Sequence, residues 1–198
     1  MSSSRPTIRR VLEVGLIAMG LACVAWVVTA AMRSSAYTRR ATALAETWPG
    51  PAARPEAPVL ETLKIGAPVG VLAIPRLEFS EAIAEGDDDG TLGVSIGHLP
   101  DTPLPWTSGN SVVAAHRDTQ FRALEGIRIG DRLQLRTPRG EFSYVVSDLI
   151  ITSPDDLSVL KPTNARSLTL ITCYPFRYIG HAPQRFVVVA REAPESKP

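Results

Sequence analysis

Apolar positions fall along the chain in two regimes. From Val11 to Met32 they form an almost unbroken run, VLEVGLIAMGLACVAWVVTAAM, whose one charge, Glu13, lies near its edge. A helix of 22 residues at 1.5 Å rise is about 33 Å long, which matches a hydrocarbon core. Arg9 and Arg10 precede the run and Arg33 follows it, as at membrane interfaces. The run is longer than the apolar core of a cleavable signal peptide, about 7–15 residues, and VVTAAMRSS is a weak cleavage site. The pattern therefore predicts an uncleaved transmembrane anchor over 11–32. Arg5, Arg9 and Arg10 on one side balance Arg33, Arg39 and Arg40 on the other, so the positive-inside rule does not orient it. The short N-terminal stretch decides: 1–10 is expected to be a cytoplasmic tail, with everything after residue 33 outside the membrane.

From Val69 the period changes. GVLAIP, SVVAAH, RLQLRT, EFSYVVSDLIIT, SLTLIT and RFVVVA are β-branched or aromatic runs bounded by Gly, Pro, Asp and Ser. Helical candidates between them are short, around 90–96 and 118–125. This spacing suits a compact antiparallel barrel or sandwich rather than an alternating parallel α/β sheet. Between the two regimes, 33–68 is rich in Ala and Pro, with five prolines from Pro49 to Pro68, and reads as a semi-rigid linker. The body is expected to span 69–190, with 191–198 a flexible tail.

Charge sharpens this division. Residues 1–40 hold six arginines and one glutamate, which leaves the body slightly acidic. Nothing in that body clusters Lys and Arg as a nucleic-acid face requires, so no nucleic-acid partner is expected. The chain has two cysteines, Cys23 inside the apolar run and Cys173 in the body. That topology excludes a disulfide between them and leaves Cys173 a lone thiol in a compartment that oxidises thiols.

A lone cysteine at a strand end is either a small buried hydrophobe or a nucleophile, and its neighbours decide between the two. A nucleophile needs a partner that exchanges its proton and a donor for the oxyanion. His116 ends the apolar strand SVVAA and precedes the polar RDT, where an imidazole projects at a strand edge. Arg185 opens the last strand, twelve residues past Cys173.

At these positions LTLITCYP, VVAAHRDTQFRAL and APQRFVVVA resemble the signature segments of the sortases, the membrane-anchored cysteine transpeptidases, and TLITC most resembles class D. IGHLPDTPLP, GDRLQLRT and PDDLSVLKPT follow the family's order, so the likeness covers about 69–190. The sequence departs from the family's pattern at Asp101 and Trp106, where glycines are common, and at His181, where a small residue is usual.

The resemblance implies a mainly β fold, a closed sortase-type barrel of about eight strands behind one transmembrane helix. It implies Cys173 as nucleophile, His116 as the acid that protonates the leaving amine, and Arg185 as donor to substrate backbone and oxyanion. Thr172 is implied as an orienting contact in the substrate-binding set. The implied donor is a secreted protein with a C-terminal LPXTG-like sorting signal, cut after Thr. The implied acceptor is an amine of the cell envelope or a pilin subunit, membrane lipid surrounds the anchor, and no cofactor is implied. A protease that passes the acyl group to water, or a binding module with an inert Cys173, remains open.

Other motifs are weaker. His116-Arg117-Asp118 mimics a kinase catalytic loop, but Ala123 stands where Asn is required. The stretch from Asp87 to Gly90 lacks the EF-hand spacing, having Leu92 and His98 where Gly and Glu belong, and is expected to be a solvated turn. Cys173, His116 and His181 lack the close pairing of zinc ligands, so no metal is expected. His98 is expected to be a turn histidine held by backbone hydrogen bonds, and His181 a loop residue. Arg177, nearer to Cys173 in sequence, is the rival to Arg185.

Overall fold

The computed structural model describes residues 5–48 and 62–193. The middle of the expected linker (49–61), the first four residues and the end of the expected tail (194–198) lie outside the described residues. An apolar N-terminal helix, α1 (Arg5–Ala45), precedes eight strands that close into a barrel. The strands are β1 (Pro68–Ile74), β2 (Phe79–Glu85), β3 (Ile96–His98), β4 (Asn110–Ala114), β5 (Arg132–Thr137), β6 (Gly140–Thr152), β7 (Ser167–Tyr174) and β8 (Gln184–Glu192). Their order round the barrel is β1-β2-β3-β4-β7-β8-β6-β5. Most pairs are antiparallel, but β2–β3 and β4–β7 are parallel.

Period-two patterning builds the wall. In β5 the odd positions Leu133 and Leu135 are buried while Arg132, Gln134 and Arg136 face out. Leu168 and Leu170 of β7 meet Val188 and Ala190 of β8 in the same core, which Tyr144 of β6 also fills. Phe121 and Leu124, on a 3-10 turn over Gln120–Gly126, cover it.

Several sequence expectations shift. The helix expected near 118–125 is this 3-10 turn, and the one near 90–96 shortens to α2 (Asp89–Leu92). Asp88 caps α2, its carboxylate accepting from the Gly90 and Thr91 amides and the Thr91 hydroxyl, so the expected solvated turn is a helix start. The strands β2 and β3 escaped the pattern, and β8 runs through Arg191 and Glu192 into the expected tail.

The helix α1 continues 13 residues past Met32, into the stretch read as linker. Its apolar portion is exposed all round, with Leu16, Leu21 and Trp26 among many uncovered side chains. Length and composition make it compatible with membrane anchoring. The last turns behave differently. Ala41 and Ala45 are buried against Val71 of β1 and Ala82 of β2, with Tyr37 and Trp48 beside them. Thr38 donates to Glu81 at 2.8 Å, and the Tyr37 hydroxyl donates to the Gly66 carbonyl at 3.2 Å. Residues 37, 41 and 45 share one face because a helix repeats every 3.6 residues.

Candidate active site

The β4–β7–β8 wall gathers the three candidate residues at one end. In the antiparallel β7–β8 ladder Cys173 lies directly opposite Arg185, and opposed residues share a face. Between the parallel strands β4 and β7 the register sets Ala114 against Ile171. Past the end of β4 the pairing persists for one more step, the Ala115 amide donating to the Ile171 carbonyl at 3.3 Å. His116 follows, beside Cys173 in that register. Its carbonyl accepts from the Phe121 amide at 3.0 Å, which closes the turn that leads away.

Alternation decides what each residue offers. Leu168, Leu170 and Tyr174 pack into the core, so Thr172 shares their face and Cys173 the opposite one. Cys173 is a free, half-buried thiol and His116 is exposed. Arg185 is half-buried, and among the described residues its guanidinium makes one hydrogen bond, to the Gln184 carbonyl at 3.1 Å. Its charge is thus unclaimed by any carboxylate among those residues. Its rival Arg177 is tied to Glu125, Nε to Oε1 at 3.3 Å.

Thr172, expected as an orienting contact, lies on the core face of β7. It is buried, and its hydroxyl donates to the Ala115 carbonyl at 2.7 Å. That bond braces the end of β4 against β7 one residue before His116. Beneath the site, the rings of Tyr174, Phe176 and Phe186 pack at centroid separations of 5.3 to 6.1 Å and hold the β7 and β8 ends together.

His98 is not a turn residue. It sits in β3, fully buried, opposite Glu85 in the parallel register with β2. Its Nδ1 is 2.7 Å from the Glu85 carboxylate, and its Nε2 is 3.2 Å from both the Pro103 carbonyl and the Thr102 hydroxyl. The approach of β3 needs Gly97, since a Cβ there would collide with the Gly86 carbonyl oxygen. Trp106, one of the departures noted above, is a buried core residue. His181 is exposed on the β7–β8 connection.

Sequence reasoning overlooked Arg117. Its guanidinium donates to the carbonyls of Pro175, Tyr178 and Gly180 at 3.2, 2.9 and 3.1 Å. Those acceptors lie about sixty residues away in the chain, so no local pattern signals them. A groove of about 270 Å³ lies elsewhere, between α1 and the β1–β5–β6 wall, lined by Thr42, Val71 and Gln134 among others. It shares no residue with the Cys173 site.

Known proteins share this fold. Residues 72–193 match the family described as the sortase domain. The chain is 36% identical over 127 residues to Sortase D of Bacillus subtilis (strain 168), a match that spans 64% of either protein, a little under two thirds of that relative's length. Among solved structures it resembles a Clostridium perfringens Sortase D5 transpeptidase, with 27% identity, a TM-score of 0.61, and coverage of 67% of this chain and 82% of that one. It also resembles Clostridium perfringens sortase C solved with a C-terminal cell wall sorting motif, with 26% identity, a TM-score of 0.60, and coverage of 67% and 74%. The barrel, its strand order and a domain match across well over half of the sequence lead to one conclusion: this chain belongs to the sortase family.

Proposed function

We propose that this chain is a membrane-anchored cysteine transpeptidase. It cleaves an LPXTG-like sorting signal after its Thr and passes the acyl group to an amine of the cell envelope or of a pilin subunit. The observation that carries the reading is the register that sets Cys173 opposite Arg185, with His116 emerging beside them from β4.

Each group has one task. The Cys173 sulfur attacks the carbonyl carbon of the signal's Thr, and the developing oxyanion takes hydrogen bonds from the Arg185 guanidinium. As the carbon–nitrogen bond breaks, His116 gives a proton to the departing amine and leaves a thioester on Cys173. The acceptor amine then attacks the thioester, its proton passes to His116, and the thiolate is released. Thr172 contributes as a brace on the backbone rather than as a contact to the peptide. The helix α1 holds the barrel on the extracytoplasmic side as a single-pass anchor, with membrane lipid around residues 11–32. The sortase C relative solved with a cell wall sorting motif supports the choice of substrate class.

The test uses the full chain in detergent micelles with a panel of sorting-signal peptides. Intact-mass spectrometry should show a thioester adduct on Cys173 that is absent in Cys173→Ala. Added amine should discharge it into an amide product. An adduct that yields only acid in the presence of amines would identify a hydrolase, and no adduct with any peptide would remove the reading.

A further inference from the structure

The connection between β7 and β8, residues 175–183, begins two positions after Cys173 and ends two before Arg185. Its middle is exposed and carries Gly180 in the left-handed region, at φ +95. Two side chains from the other side of the site hold it. Arg177 reaches out of it to Glu125, while Arg117 reaches into it. Arg117 places Nη1 on one backbone carbonyl and Nη2 on two more, with its Cζ 5.8 Å above the Tyr178 ring.

Three carbonyl dipoles converging on one point repel one another unless a cation sits between them. A guanidinium does this with a planar fork of donors and a weakly hydrated charge, whereas an ammonium supplies a point charge on a flexible stem. Among the described residues no carboxylate pairs with Arg117, so its charge serves these carbonyls and the Tyr178 ring. Arg117 is also covalently next to His116. The clamp therefore ties the backbone that carries the histidine to the segment that joins the cysteine to the second arginine.

We propose that Arg117 is a positioning residue for acyl transfer: it holds the 175–183 connection against the His116 turn so that His116, Cys173 and Arg185 keep one relative geometry. This rests on the roles assigned above to those three residues. Arg185 is paired on both sides, with Thr152 of β6 and Cys173 of β7, but Cys173 lies beyond the last β4–β7 pair and His116 beyond the end of β4, where loss of the clamp is felt. A displacement of about 1 Å in a reacting group costs up to about 10²-fold in rate.

The experiment compares Arg117→Gln and Arg117→Lys with wild type, as full chains in detergent, by two readouts. The first is single-turnover acylation by an LPXTG-like peptide. At saturation Arg117→Gln should acylate about 10–100-fold more slowly, with KM within about threefold, and Arg117→Lys should recover part of the loss. The second is the pH profile of Cys173 alkylation by iodoacetamide, which needs no peptide. There Arg117→Gln should move toward the profile of His116→Ala. A lower melting temperature with a wild-type saturating rate and a wild-type alkylation profile would mean the clamp is only structural and would overturn the proposal. Should Arg117→Gln not fold, Arg117→Lys decides by the same two readouts. A wild-type chain that no peptide acylates defeats the proposed function instead, and the alkylation profiles still judge Arg117.

Discussion

Replacing Thr172 with Val removes one oxygen from a buried site and tests whether that residue braces the catalytic wall. The hydroxyl donates to the Ala115 carbonyl at 2.7 Å, and Ala115 immediately precedes His116. Losing the bond leaves a buried carbonyl without its donor, which costs about 2–3 kcal/mol in all. The extra apolar group offsets about 1 kcal/mol of this, leaving a net loss of about 1–2 kcal/mol. In a domain of this size that lowers Tm by about 3–10 °C. Thr172→Ser makes the useful comparison, since it keeps the hydroxyl but gives up a buried methyl group worth about 1 kcal/mol. The two variants should thus be similarly destabilised while differing in chemistry. In single-turnover acylation well below either melting point, Thr172→Ser should react at close to the wild-type rate. Thr172→Val should be slower by about tenfold or more, because the end of β4 is no longer fixed against β7. Equal rates for the two variants would refute the bracing argument, whatever their melting temperatures.

Arg185→Lys should retain the fold and lose about 10²–10³ in acylation rate, since a lysine keeps the charge without the fork, whereas Arg177→Lys should lose little because Arg177 is engaged with Glu125. Stopped-flow acylation of both variants checks this, and the reverse order would transfer the role to Arg177. Asp131, gripped by the Arg76 guanidinium and by the Arg128 amide, has its carboxyl held below the usual range, first by the hydrogen bond from Arg76. A depressed folded pKa means that its stabilisation is complete above the unfolded value of about 3.9 and is lost as pH falls through the folded value. Urea midpoints should therefore show Asp131→Asn less stable than wild type by a constant margin from pH 7 to about 5, closing below about pH 4. A margin undiminished at pH 2 would contradict the assignment.

Strands with clean alternation were readable from the sequence, as in RLQLRT, where Leu133 and Leu135 turn inward and the charges outward. The strand β2 was not, because its glutamates look solvated. Glu81 bonds Thr38 of α1, and Glu85 is buried against His98, a partner thirteen residues on. The end of α1 was missed for a related reason: no proline falls between Pro6 and Pro49, and the Ala-rich turns before Pro49 have a barrel face to pack against. At the site, Cys173, His116 and Arg185 could be picked out by residue type and strand-end placement. What joins them could not. Thr172 and Arg117 act through carbonyls about sixty residues distant, and only the folded ladder brings those together.

The helix α1 runs without a break from its apolar portion to its seat on β1 and β2. Thirteen residues beyond Met32 make a lever arm of about 20 Å. Membrane helices tilt by about 20° on average, and more when their apolar length exceeds the local bilayer thickness. For the proposed anchor, a tilt of α1 in the lipid is passed through its contacts on β1 and β2 to the wall that bears Cys173. Bilayer thickness then becomes a mechanical input to the direction the Cys173 end of that wall faces.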